Sequence, residues 1–164
     1  MVPLRVTQRS GQIDALLTTM DQTVGEVDLR IQNVFANHIA LAGAGYIEEA
    51  VLATLSEYGR THGNPRISRF IEKSVSRHNS LNCEKIEKIL HQFDRDWWPK
   101  IKAQTSPENI AAVDSLKTLR DQIAHGKPNG TGYTTVKTYY TNSKRFISDF
   151  ANVVIPSTEQ HPLG

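Results

Sequence analysis

A single cysteine, Cys83, stands in the 164-residue chain, which excludes an internal disulfide and any zinc site built on cysteine thiolates. No apolar run approaches the ~20 residues that a membrane-spanning helix requires. The opening MVPLRVTQRSGQ lacks the apolar core of a secretory leader, so a cytoplasmic protein is expected. Nucleotide and hydrolase signatures are missing too. There is no Gly-x-x-x-x-Gly-Lys-Ser/Thr loop, no Gly-x-Gly-x-x-Gly, no His-Glu-x-x-His and no Gly-x-Ser-x-Gly. His38, His62, His78, His91 and His161 are scattered without metal-ligand spacing, so neither a metal nor a cofactor is expected. Charge of one sign is scarce as well. A net charge of +2 and a pI near 8.7 permit nucleic-acid binding without demanding it, because basic charge counts only when gathered on one face.

What the chain does have is helical periodicity. With 38% hydrophobic and 22% charged residues, it has the composition of one globular domain with a proper core. Ile13, Leu16, Leu17, Met20 and Val24 predict a first helix over about Ser10 to Val24. A second pattern follows in Val27, Ile31, Val34, Phe35, His38, Leu41 and Ala42, up to Gly43-Ala44-Gly45, where a bend or a close helix contact is expected. His38 lies in that stripe and reads as a hydrogen-bonded core residue. Beyond the glycines, Ile47, Val51, Leu55 and Tyr58 continue a helical stretch whose Glu48 and Glu49 read as a solvated face.

From Pro65 a further helix turns Ile67, Phe70, Ile71 and Val75 inward. On it Arg66, Arg69, Lys73 and Arg77 recur at intervals of three, four and four, which sets four cations along one ridge. Such a ridge can track a phosphate backbone, and it reads equally as a solvated face partly neutralised by Glu72. Ile86, Ile89, Leu90 and Phe93 predict the next helix, closed by Trp97, Trp98 and Pro99, with both indoles in the core. The final amphipathic helix runs through Val136, Tyr140, Phe146, Ile147, Phe150 and Val153 and stops at Pro156. No strand-length alternation competes with these patterns, so the expectation is an all-α bundle of five to seven helices over residues 1–156, followed by a loose tail at 157–164.

Chemistry gathers at one helix end. Ser106 as N-cap and Pro107 at the first helical position predict a helix from about Pro107 to about His125, with Ala112, Leu116, Leu119 and Ile123 as its core stripe. Arg120 falls at the border of that stripe. Asp121 and His125 fall on the solvent side at a spacing of four that lets them touch. Arg120 and His125 lie about 140° apart on a continuous helix, so they meet only if the last turn unwinds at Gly126 or if a second copy supplies the partner. Without further context, Arg120 reads as a surface ion-pair residue and His125 as a cation complementing the helix dipole.

The Arg-x4-His spacing of RDQIAHGK, preceded by NHIALAGAGYIE at 37–48 and NSLNCEKIEKIL at 79–90, resembles the RiboL-PSP-HEPN-like group of the HEPN superfamily in order and approximate spacing. The family often has Asn after the motif Arg, where this chain has Asp121. The resemblance implies a metal-independent RNA endonuclease of toxin or phage-defence type, acting as a homodimer, with an antitoxin or defence-system partner and no membrane. In that reading RNA supplies its own 2′-hydroxyl nucleophile, His125 moves the proton and Arg120 holds the phosphate, while Asp121 tunes the imidazole and Lys127 adds positive charge. The same resemblance allows a binding or regulatory dimerisation module without nuclease activity, and a purely structural helical partner remains a third alternative.

Overall fold

The computed structural model describes residues 1–156, and the expected tail at 157–164 lies outside the described residues. Among them are seven helices and no strand: α1 Leu4–Thr23, α2 Leu29–His62, α3 Pro65–Val75, α4 Cys83–Leu90, α5 Trp97–Gln104, α6 Pro107–Ala124 and α7 Tyr133–Val154. Helix starts follow local chemistry. The side chains of Asp28, Asn64, Asn82 and Ser106 accept backbone N–H groups in the first turns of α2, α3, α4 and α6, satisfying donors that have no partner within the helix.

The long helices α2, α6 and α7 pack on one another, and the remaining four close around them. Leu55 of α2, Leu116 of α6 and Tyr140, Phe146 and Phe150 of α7 are fully buried in one continuous core. Helix α7 is pinned to α1 by polar contacts at the rim. The Tyr140 hydroxyl donates to the Ser10 carbonyl over 3.1 Å, and the Tyr133 hydroxyl donates to the Leu17 carbonyl and to Asp21.

Several boundaries differ from the sequence reading. Helix α1 begins at Leu4, six residues before Ser10, because Val6 already enters the core. Trp97-Trp98-Pro99 opens α5 instead of closing α4; proline is tolerated there because the first turn has no intrahelical acceptor for its missing N–H. Both indoles are buried, as expected.

The largest difference is in α2, which runs straight through its glycines as a single helix of 34 residues. Gly43 marks a close contact, since a Cβ there would stand 3.1 Å from Leu116 Cδ1 and 3.5 Å from Tyr140 Cδ2. In its first half the buried face is formed by Ile39 together with the small residues Ala36, Ala40, Gly43 and Ala44, and at Gly43 the helix meets Leu116 of α6 and Tyr140 of α7 closely. The larger residues Ile31, Val34 and Leu41 are therefore left exposed, and His38 is exposed with them. His38 is accordingly not the core residue its position in an apolar stripe suggested.

Helix α2 also corrects the expectation about long apolar stretches. By length and composition it could cross a membrane, with an 18-residue window of mean hydropathy 1.3. Of that window 67% is buried inside the bundle, which accounts for its composition as that of a core helix.

Candidate functional site

Helix α6 carries the Arg-x4-His pair and ends where the sequence places its stop. His125 is the C-cap, and Gly126 follows with φ +65°, the left-handed conformation that glycine adopts without a Cβ penalty. The Gly126 N–H donates to the Ile123 carbonyl at 3.0 Å, and the Lys127 N–H to the Gln122 carbonyl at 2.8 Å. This paired closure is a Schellman motif, which satisfies the last carbonyls of the helix and fixes the direction in which the chain leaves. The last turn is therefore wound, not opened. Arg120 is half-buried on one side, and the exposed His125 stays on another. No hydrogen bond joins the two side chains among the described residues.

Asp121 departs from the geometry expected of it. Its carboxylate does not reach the imidazole, and its bond to His125 is the backbone one, from the His125 N–H to the Asp121 carbonyl at 3.1 Å. Oδ2 instead pairs with Lys117 Nζ at 2.6 Å, one turn earlier on α6. Oδ1 accepts from the Ser80 hydroxyl at 2.8 Å and lies 3.4 Å from Arg120 Nη1. Lys117 first, with Ser80 and Arg120 adding to it against a smaller opposing cost of burial, holds the Asp121 carboxyl down at about 2. Asp121 is thus an anion held in contact with Arg120, whose guanidinium makes no other hydrogen bond among the described residues.

Ser80 brings the third partner. It has φ +57° in the α3–α4 connection, and its N–H donates to Glu48 Oε1 on α2. Lys85 Nζ donates to the carbonyls of Asn79 and Ser80, each at 3.1 Å, which clamps the same turn from α4. The segments 37–48, 79–90 and 120–127 therefore meet at one place. Glu48 is a positioning group for this turn rather than plain solvated surface, whereas Glu49 lies 3.9 Å from Arg9. On the other side of the site, Asn129 Nδ2 donates to Asn37 Oδ1 at 3.1 Å, tying the segment after Lys127 to α2. Lys127 itself is exposed beside His125.

Of the four cations expected along one ridge, Arg66, Arg69 and Lys73 lie on α3, whereas Arg77 falls in the turn after its last residue, Val75, so the helical ridge holds three. Arg66, Arg69, Lys73 and Arg77 are all exposed, and none has a carboxylate within 4 Å among the described residues. Glu72 lines a recess on the far side of α3 with Arg5 and Arg60. Cys83 is buried with its thiol pushed well above its usual range, first by burial and then by Asp114, so it is no nucleophile. Among the described residues no group of three or more His, Cys, Asp or Glu is arranged to hold a metal ion.

Ser80, Lys117 and Lys85 were not singled out from the sequence. Lys117 had a signal, since it precedes Asp121 by four residues on a helix. Ser80 had none.

The family model described as RiboL-PSP-HEPN matches residues 8–155 of the chain. No curated protein and no solved structure matches it.

Proposed function

The chain belongs to the RiboL-PSP-HEPN family, and from that premise we propose that it is a metal-independent RNA endonuclease whose site combines Arg120 and His125 of two copies. The observation that carries this reading is the end of α6, where Arg120 is braced by Asp121 and His125 is presented at an ordered cap. The toxin or phage-defence setting, and an antitoxin or defence-system partner, belong to the proposal through the family alone.

The chemistry is a transesterification within RNA. The 2′-oxygen attacks the adjacent phosphorus, the bond from phosphorus to the 5′-oxygen breaks, and the products carry a 2′,3′-cyclic phosphate and a 5′-hydroxyl. A proton leaves the attacking hydroxyl and another reaches the departing oxygen. His125 is the proton-transfer group of the site. Arg120 binds the phosphoryl oxygens through its planar fork as negative charge builds, and Lys127 adds positive charge beside His125. Asp121 stays ionised and holds Arg120 in place; it is a positioning residue.

With the last turn wound, the two positions lie about 140° apart around α6, and a second copy as the source of the partner suits that geometry. Ile31, Val34, His38 and Leu41 of α2 recur at the three-four spacing of a helix-pairing seam. The row continues to Gly45, where a Cβ would meet nothing within 4 Å. Asn37, beside His38, is bonded to the segment after Lys127, so a copy laid on this stripe lies next to the His125 end of α6.

The test is incubation of the purified protein with mixed cellular RNA in EDTA. Fragments ending in cyclic phosphate, with DNA left intact for want of a 2′-hydroxyl, are the expected result. RNA that remains whole at high protein concentration overturns the proposal.

A further inference from the structure

Between the end of α2, α3 and α4 lies a groove of about 340 Å³, near the lower end of the ~300–1,000 Å³ usual for ligand pockets. Its floor is apolar, formed by Ile71, Val75 and Ile89, and three rings, Tyr58, Phe70 and Phe93, stand around it. Phe70 is 71% exposed although it is a large apolar side chain on a short helix. His62, His78 and Gln92 bring polar groups to the lining, and the His62 ring is stacked on Tyr58 with centroids 4.4 Å apart.

At 100° per residue Phe70 lies within about 60° of Arg66 and Lys73 around the axis of α3, whereas Glu72 falls on the far side; Arg77 lies in the turn beyond the end of that helix. The exposed ring is thus bordered by cations that have no carboxylate partner within 4 Å among the described residues. An apolar slot with ring faces, polar edges and a cationic rim is the arrangement that takes a single strand, bases stacking inside and phosphates along the rim.

We infer that the α2–α3–α4 groove is a subsite for single-stranded RNA, in which an unpaired base stacks on Phe70 and the flanking phosphates pair with Arg66 and Lys73. The choice of RNA rests on the proposed function. The route to that site is short. His78 ends the groove two residues before Ser80, and Ser80 is bonded to Asp121 beside Arg120. A strand held in the groove therefore runs toward the Arg120 phosphate position. A duplex is excluded, because its bases are stacked on one another and cannot enter a slot between helices.

Binding separates this inference from cleavage. The probe is a fully 2′-O-methylated 12-nucleotide single strand of mixed sequence, which cannot be cut, alongside the same sequence as a duplex, read by fluorescence anisotropy in EDTA. The wild type is expected to bind the single strand more tightly than the duplex. Phe70→Ala is expected to weaken it about tenfold, with Phe70→Tyr restoring it because the ring face returns. Lys73→Gln is expected to reduce the salt slope by about 0.7, the loss of one phosphate contact to a single strand.

Wild-type affinity in both Phe70→Ala and Lys73→Gln overturns the subsite, as does failure of the wild type to bind the strand. Tighter binding of polyglutamate, lost in Phe70→Ala, overturns it in favour of an acidic peptide. Phe70-dependent binding without cleavage of unmodified RNA contradicts the nuclease reading alone. Cleavage that Phe70→Ala leaves unchanged contradicts the subsite alone.

Discussion

The Ser80 hydroxyl donates to Asp121 Oδ1 across 2.8 Å, joining a turn between α3 and α4 to the last turns of α6, 41 residues further along the chain. Through Asp121 that turn is in contact with Arg120, and through its own N–H it is in contact with Glu48 of α2. The Asp121 carboxylate beside the Arg120 guanidinium is therefore tied, through Ser80, to the α3–α4 turn and to α2.

Asp121 titrates at about 2 instead of 3.8, with Lys117 as the leading cause. Lys117→Met should raise that midpoint, and Ser80→Ala should raise it by less, as read from the carboxyl carbon in NMR titrations. The linkage has one sign. A carboxyl depressed on folding stabilises the fold above its unfolded pKa and loses that contribution as pH falls through the folded one. The stability gap between wild type and Asp121→Asn should stay constant near neutral pH and shrink between about 3.8 and about 2.

Gly126 has φ +65° and open space around its Cβ direction, so Gly126→Ala meets backbone strain and no clash. A left-handed residue with a side chain costs about 1–2 kcal/mol. The unfolding midpoint should fall by roughly 2–4 °C for each kcal/mol. Because the same glycine aims His125 and Lys127, cleavage should fall more than stability does, measured as initial rate well below the unfolding midpoint.

Val34 is 67% exposed on the outer stripe of α2, and a carboxylate there disturbs no core packing in the single copy. Val34→Glu combined with Leu41→Glu should leave the circular dichroism spectrum and unfolding midpoint close to wild type while shifting sedimentation from dimer to monomer. Cleavage should disappear with the dimer. Full activity in a monomeric double variant would remove the shared site.

Gly59 faces α3 so closely that a Cβ would stand 2.5 Å from Ile71 Cδ1 and 3.4 Å from the Ser68 Cα. Gly59→Val should push α3 off α2, with an overpacking cost of about 1–3 kcal/mol. Chemical denaturation measures that cost, and single-strand binding should weaken with it, because the groove wall moves.

Helix α6 was legible because all its signals are local: a serine cap, a proline at the first position, a stripe of Ala112, Leu116 and Leu119, and a glycine stop. In helix α2 the second half was legible, with Ile47, Val51 and Leu55 buried as expected, but the first half was not, because it carries two faces able to meet a core and periodicity favours the one with larger side chains. Packing chose Ile39 with Ala36, Ala40, Gly43 and Ala44, and the close contact of Gly43 with Leu116 of α6 and Tyr140 of α7 is a property of neighbours that a single helix does not encode. Arg120 and His125 were legible as residues of the last turns of α6, and their part in cleavage is what we propose. Ser80 was hidden because its part depends on a left-handed turn and on contacts with residues 32 and 41 positions away. Asp121 was misdirected toward His125 by its spacing, whereas Lys117, at the same spacing in the other direction, offers a full positive charge and captures it.

The most direct test of the account is the initial rate of cleavage of one fluorogenic RNA in EDTA at neutral pH, by wild type, Arg120→Ala and His125→Ala, each shown to be folded and dimeric. Loss of a positioned proton-transfer group costs on the order of 10²–10⁴ in rate. The account predicts a fall of that size for His125→Ala, a comparable fall for Arg120→Ala, and no cleavage of the 2′-O-methylated strand by any of them. A folded, dimeric His125→Ala protein that cuts at the wild-type rate would contradict it.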